Sequence, residues 1–163
     1  MEDLIYMDVG NATETYGRVV IKLRPDLAPN HVARFRELSS EAFYDGVVFH
    51  RVIPGFMAQT GDPTGTGTGG SKKPDLKSEF SRTPHRRGVV STARTANPHS
   101  ANSQFFIMLD DNPDLDGQYT VWGEVIDGMD FIDRIKTGDD RRNGRVTNPD
   151  RIVRMRMATD VND

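Results

Sequence analysis

The sequence predicts a mainly β protein: a closed eight-stranded antiparallel barrel capped by two α-helices. Three observations predict it. Eight short segments have strand character, only two have helical spacing, and the connections between them are long and rich in Gly and Pro. Many short strands with isolated helices favour an antiparallel sheet over a parallel one, and closing that sheet leaves no edge exposed.

The strand segments lie near 4–9, 17–23, 48–53, 56–60, 88–93, 103–109, 120–126 and 151–159. In the second, Val19, Ile21 and Leu23 alternate with Arg18, Val20 and Lys22, as expected of a wall with one face on a core and one in water. In the last, Val153, Met155 and Met157 alternate with Arg154 and Arg156. The first helix is predicted from Pro29 to Phe43, with Val32, Phe35, Leu38 and Ala42 on one stripe. Pro29 suits the first helical turn, where no backbone N–H is needed. The second is predicted from Met129 to Ile135, capped by Asp127 with Gly128 in the entry turn. Each helix has a single apolar stripe, so each is expected to lie on a surface. The connections at 61–75, 94–102, 110–118 and 137–150 are long for so small a protein, and loops of that kind tend to carry function.

At 163 residues the chain suits one domain spanning 1–163, with no internal repeat or linker. The net charge of −3 argues against a nucleic-acid partner, which usually needs a basic stripe. The short basic clusters His85-Arg86-Arg87 and Arg141-Arg142 are read as solvated loop charges. There is no cysteine, which excludes disulfides and thiolate chemistry. No apolar run approaches the roughly 18 residues of a membrane span, so no membrane partner is expected. The acidic start Met1-Glu2-Asp3-Leu4 lacks the apolar core of a secretory signal, and a cytoplasmic protein is expected. No association helix is evident, and a monomer is expected.

The most informative run is Phe49-His50-Arg51-Val52-Ile53-Pro54-Gly55-Phe56-Met57-Ala58-Gln59-Thr60-Gly61. Strand residues two apart share a face, and a turn at Pro54-Gly55 folds the second strand back beside the first. Arg51, an aromatic, a thioether and an amide then surround one small apolar pocket, suited to a proline ring with a carbonyl beside it. His50, the neighbour of Arg51 on a strand, faces the other way and is expected in the core. The second run is Ser103-Gln104-Phe105-Phe106-Ile107-Met108-Leu109, in which Gln104, Phe106 and Met108 share one face. Gln104 beside Phe106 gives a polar handle next to an apolar floor.

Other motifs exclude chemistry. Gly61-Asp62-Pro63-Thr64-Gly65-Thr66-Gly67-Thr68-Gly69-Gly70 lacks the Gly-Lys-Ser/Thr and following helix of a phosphate loop. Its glycines are expected to allow positive φ and close backbone approach, rimming a groove for an extended peptide. His31, His50, His85 and His99 have no metal-ligand spacing, and no Gly-x-Ser-x-Gly elbow occurs. No metal and no cofactor are expected, and a hydrolase is disfavoured.

Together these runs resemble the cyclophilin family of peptidyl-prolyl cis-trans isomerases, in its short bacterial branch. The run from Phe49 to Gln59 matches the family signature nearly residue for residue, and Ser103 to Ile107 matches a second. Gly65-Thr66-Gly67-Thr68-Gly69-Gly70 and Leu115-Asp116-Gly117 match lesser motifs, and the likeness runs from about Leu4 to Thr159. It implies a cyclophilin-like barrel with a substrate groove on its outside. By motif position it implies Arg51 as the catalytic arginine, working with Gln59 and Phe106. Phe56, Met57, Phe106 and Leu115 form the implied proline pocket, and Gln59 and Gln104 hydrogen-bond the substrate backbone. Gly67, Ala93, Arg94 and Thr95 line the adjoining groove. Eukaryotic members carry a tryptophan where this chain has Asp114 and a histidine where it has Tyr119, which here joins the substrate-binding set. Without that tryptophan, only weak binding of the macrocycle cyclosporin is expected. Arg94 replaces a small amide residue common in the eukaryotic branch.

The implied reaction is cis/trans rotation of Xaa-Pro bonds in proline-containing peptides and in unfolded or folding proteins. Two other classes compete. A binding module would hold the same peptides without turnover, and a barrel with exposed aromatics would bind single-stranded nucleic acid. The complete set Arg51, Phe56, Gln59 and Phe106 favours the enzyme, and the negative charge and 8% aromatic content disfavour the second.

Overall fold

The computed structural model describes residues 3–161; Met1 and Glu2 of the acidic N-terminal stretch lie outside the described residues. In chain order the main elements are β1 (Leu4–Gly10), β2 (Thr15–Leu23), α1 (Pro29–Ser40), β3 (Arg51–Ile53), β4 (Met57–Thr60), β5 (Val89–Thr92), β6 (Phe105–Met108), β7 (Val121–Asp127), α2 (Met129–Asp133) and β8 (Arg151–Met157). The eight strands form one sheet in the order β3-β4-β6-β5-β7-β2-β1-β8, every ladder antiparallel.

The predicted full closure is corrected. The ladders form an open half-barrel with β3 at one end and β8 at the other. The gap is spanned by the residues before β3. Val48 makes a single bridge to Arg151, and backbone bonds run from Phe49 N to Asp150 O (2.8 Å) and from Ile152 N to Val47 O (2.8 Å). The two edges are therefore covered by chain without a continuous ladder, which still manages the exposed-edge hazard.

Alternation places the core. Ile5, Met7 and Val9 of β1 and Val19, Ile21 and Leu23 of β2 all point inward. β8 departs from its predicted pattern. Its register against β1 slips between Asp8 and Val9, so Val153 is an extra residue in the ladder. Such a bulge reverses the facing of what lies beyond it. Ile152, rather than Val153, is buried, and Val153 is 36% exposed.

α1 lies across the barrel with Val32, Phe35 and Leu38 buried. Phe35 stacks on Trp122 at 3.9 Å between ring centroids and meets Phe105 edge-on at 5.6 Å. These rings plug the barrel, and truncating one of them costs about 3–5 kcal/mol. The helix ends at Ser40, earlier than predicted. Ala42 takes φ of 60° and is exposed, while Phe43 N returns to Leu38 O (3.0 Å). The left-handed residue stops the helix and satisfies its last carbonyls. At the other end, the Glu79 carboxylate accepts from Asn30 N (3.2 Å), His31 N (2.8 Å) and His31 Nδ1 (2.7 Å). A distant side chain thus caps a helix whose local sequence offers none. α2 is also shorter than predicted, and its N-cap is Gly128 at φ 92°, not Asp127. Gly128 is pressed on β2, where a Cβ would lie 2.5 Å from Arg18 O.

Candidate active site

The site is a line across the outside of the sheet. Arg51 on β3 stands opposite Gln59 on β4, Gln59 opposite Phe106 on β6, and Phe106 opposite Ser91 on β5. Residues directly opposite share a face, so four strands offer one row of side chains. One residue along each strand lie Val52, Ala58, Ile107 and Val90, all buried in the core behind. Alternation therefore turns Arg51 outward while its neighbour His50 is buried, as the sequence predicts.

Beside this row is a cavity of about 110 Å³ lined by Arg51, Phe56, Met57, Gln59, Ala93, Arg94, Phe106, Leu115 and Tyr119. It falls well under the roughly 300–1,000 Å³ of sites for drug-sized ligands and suits one small ring. Phe106 and Met57 are almost wholly buried in its floor, and Tyr119 meets Phe106 edge-on at 5.4 Å. The tight turn that returns β4 beside β3 uses Gly55 at φ 71°, closed by Phe56 N to Ile53 O (3.0 Å).

Arg51 is half-buried and held at three points. Nε donates to Asn143 O (2.9 Å), Nη2 to Asn143 Oδ1 (3.1 Å) and Nη1 to Gln59 Oε1 (3.1 Å). Burial lowers its pKa from the usual arginine value, with Tyr119 acting the other way. A guanidinium still stays protonated at any working pH. Three bonds leave one N–H free on each terminal nitrogen.

Arg51 has only donors, which fixes the orientation of both glutamine amides. Gln59 Oε1 must face Arg51, so Gln59 Nε2 donates to Gln104 Oε1 (3.0 Å). Gln104 Nε2 in turn gives its two hydrogens to Gly67 O (3.0 Å) and Gly69 O (2.9 Å). Gln59 keeps one free N–H for a substrate carbonyl. Gln104 ties the Gly-rich loop to the relay.

That loop wraps a carboxylate of the chain itself. The fully buried Asp62 accepts from Thr64 N (2.8 Å), Thr64 Oγ1 (2.7 Å), Thr66 N (3.1 Å), Gly67 N (2.6 Å) and Gly69 N (3.1 Å). Burial alone raises its pKa. The hydrogen bonds overcome that and hold it well below the usual carboxylate range. Gly67 needs its φ of 93° to turn its amide inward, and a Cβ on Gly69 would sit 2.2 Å from Asp62 Oδ1. The loop's carbonyls are thereby fixed toward Gln104. Next to the small cavity, and sharing Gln59, Ala93 and Arg94 with it, lies a groove of about 500 Å³ that also takes in Gly67, Thr95 and Gln104. All the residues expected in the site thus line these two connected spaces.

Beside Phe106 is a largely buried chain that the sequence did not reveal. His85 Nδ1 is 3.2 Å from Asp116 Oδ1 and its Nε2 is 2.7 Å from Ser91 Oγ. The carboxylate only accepts, so Nδ1 carries the hydrogen and Nε2 accepts from the hydroxyl. Burial lowers the pKa of His85, and Asp116 opposes this without cancelling it. The order Asp-His-Ser has the form of a nucleophile relay, but Ser91 is fully buried and meets no substrate space. The chain flanks Phe106, whose ring stacks on that of His85 at 6.3 Å between centroids, and through Asp116 it joins the segment that carries Leu115. Asn143 is the other residue missed. It lies in the 137–150 loop, brought to β3 by bonds from Gly138 N to Val52 O and from Val52 N to Gly144 O, both 2.8 Å. Among the described residues no group of His, Asp and Glu is arranged to hold a metal ion, and no helix is long and apolar enough to cross a membrane.

An arginine fixed beside a small cavity floored by Phe106 and Met57, with an amide relay leading to a larger groove, is the geometry that a prolyl-peptide isomerase site calls for. Residues 6–157 match the family described as cyclophilin type peptidyl-prolyl cis-trans isomerase, and the chain belongs to that family, whose reaction is rotation about Xaa-Pro bonds. It is 55% identical over 156 residues to a probable peptidyl-prolyl cis-trans isomerase of Brucella suis, covering 89% of this chain and 80% of the relative. It is 42% identical over 135 residues to peptidyl-prolyl cis-trans isomerase B of Bacillus subtilis, covering 82% and 93%. In fold it is similar, at a TM-score of 0.83 and 28% identity over 94% of this chain and 98% of the other, to a crystal structure of a Cryptosporidium parvum cyclophilin type isomerase in the presence of the dipeptide Ala-Pro.

Proposed function

We propose that Arg51 catalyses rotation of the Xaa-Pro bond by donating a hydrogen bond to the prolyl nitrogen as its conjugation is lost. Amide resonance sets a barrier of about 18–20 kcal/mol, and no covalent bond has to break to cross it. In the twisted state the nitrogen becomes pyramidal and gains a lone pair that a free N–H of Arg51 meets. A donor already held in place by three bonds needs no reorganisation at that moment, which favours the twisted state over the planar ones. Phe56, Met57, Phe106, Leu115 and Tyr119 hold the ring, and the spare N–H of Gln59 fixes a flanking carbonyl. Gly67, Ala93, Arg94, Thr95 and Gln104 shape the groove for the rest of the peptide. No step calls for an acid–base pair, a metal or a cofactor.

The observation that carries this reading is the tethered guanidinium of Arg51 opening onto the same small cavity as Phe106 and Met57. Substrates are proline-containing peptides and folding proteins. The monomeric state, cytoplasmic location and weak cyclosporin binding expected from the sequence belong to the same proposal, and light scattering, cell fractionation and inhibitor titration test them. The main experiment is exchange NMR on an Ala-Pro peptide with substoichiometric protein. Acceleration that is lost in Phe106→Ala and unchanged by a chelator supports the proposal. Peptide binding without acceleration identifies a binding module instead.

A further inference from the structure

Arg94 stands on the edge shared by the ring-sized cavity and the larger groove. No carboxylate among the described residues holds it. Nε and Nη2 donate to Gln118 O (3.0 and 2.8 Å), and Nη1 donates to Thr95 O (3.0 Å). The guanidinium lies 4.8 Å from the Tyr119 ring centroid and 5.9 Å from that of Phe80, an aromatic left 41% exposed. Among the described residues Arg94 forms no ion pair, whereas Arg18, Arg24, Arg87 and Arg156 each face an aspartate. It is therefore a full positive charge, oriented by two carbonyls and two rings, with two N–H groups still free. Among the described residues Asp75 is the one carboxylate lining the groove, its Oδ1 accepting from Asn102 Nδ2 (3.0 Å), and it is absent from the edge shared with the small cavity. The groove is thus positive where it meets the proline pocket and negative farther along.

Resting on the proline-pocket reading above, we propose that Arg94 is a specificity residue that selects substrates with a carboxylate side chain, Asp or Glu, close to the proline on the side seated in the groove. Extended chain advances about 3.3 Å per residue, and Arg94 borders both spaces, so the residue it meets is one or two removed from the proline. The charge and the free N–H groups favour an anion, and the position on the shared edge places that anion near the proline.

The test is a peptide series around a fixed Ala-Pro centre, with Glu, Gln or Lys placed in turn at each of the positions before and after it. The readout is the ratio of kcat/KM for the Glu and Gln peptides. We expect one position near the proline where Glu exceeds Gln by roughly threefold to fivefold, the range of an ion pair at a half-exposed site. The preference shrinks as salt is raised. Arg94→Gln brings the ratio to one, whatever it does to the rate on the neutral peptide, and Arg94→Glu transfers the preference to Lys. Turnover of every peptide with a Glu/Gln ratio near one at all positions overturns this inference and leaves the proline-pocket reading standing. Absence of turnover on the neutral peptide overturns that reading itself. A Glu preference that persists in Arg94→Gln assigns the selectivity elsewhere and also overturns the inference.

Discussion

Asn143→Gly isolates the tether on Arg51, the arginine proposed to act on the prolyl nitrogen. Asn143 supplies two of the three acceptors around Arg51: its main-chain oxygen, which any substitution keeps, and its Oδ1 at 3.1 Å from Nη2, which glycine removes. Glycine is the right replacement because Asn143 sits at φ 57°, where alanine would add left-handed strain of about 1–2 kcal/mol. A hydrogen bond to a charged group contributes about 1.5–3 kcal/mol, and the exposure of Asn143 places this one at the low end. If most of that is spent on aiming the guanidinium, the transition state loses about 1–1.5 kcal/mol, or roughly fivefold to tenfold in kcat/KM. The loss falls on kcat, with KM little changed, because the interaction matters only in the twisted state. Global stability falls by no more than about 1.5 kcal/mol, the contribution of that one bond, since the backbone bonds remain. Peptide exchange kinetics together with urea unfolding measure both quantities. Activity within twofold of wild type, with stability unchanged, would show that Gln59 and the main chain suffice to aim Arg51, and would refute the reasoning.

Asp62→Asn keeps the shape of the loop's centre but withdraws its charge from five close donors. Unfolding in urea is expected to show a loss of about 2–3 kcal/mol, and an unchanged midpoint would mean the loop holds itself. Burial lowers the folded-state pKa of His31, His50 and His85 from the usual 6.5, so on acidification the unfolded chain binds more protons than the fold does. Their contribution is complete above about pH 6.5 and is lost as pH falls through the lower folded values, so Tm drops from pH 7 to 5. Asp62 has the depressed carboxylate case: its contribution is present above about pH 4 and goes as pH falls toward its much lower folded value. A Tm independent of pH across both ranges would contradict these assignments. Activity, by contrast, is expected to vary little from about pH 6 to 8, because the arginine does not titrate there; a steep bell would implicate a histidine.

How much of this was legible in the sequence depends on range. Face assignments rest on a period of two, and the pairs Arg51-Gln59 and Val52-Ala58 follow from it once the Pro54-Gly55 turn fixes the register; the long-range pairing of β6 that adds Phe106 and Ile107 to those rows does not. Two local patterns misled where one residue changed the geometry. The bulge at Val153 breaks an alternation that the letters alone continue, and Ala42 extends an apolar stripe past a helix that has already turned left-handed. Long-range polar partners left no local trace. Glu79 caps a helix 48 residues away, Asn143 reaches an arginine 92 residues away, and Asp116 meets a histidine 31 residues away. Nothing in the period or propensity of a loop says which distant donor it will satisfy. What the amides of the Gly-rich loop hold, Asp62, became visible only when the loop closed around it.

The most direct measurement is kcat/KM of Arg51→Ala on an Ala-Pro peptide, taken with its Tm and its affinity for the same peptide. The account predicts a fall on the order of a hundredfold or more, as for loss of one preorganised transition-state donor. It also predicts a Tm within about 4 °C of wild type and a peptide affinity changed only slightly, since the pocket of Phe56, Met57 and Phe106 remains. Turnover close to wild type in a folded Arg51→Ala protein would contradict the central claim.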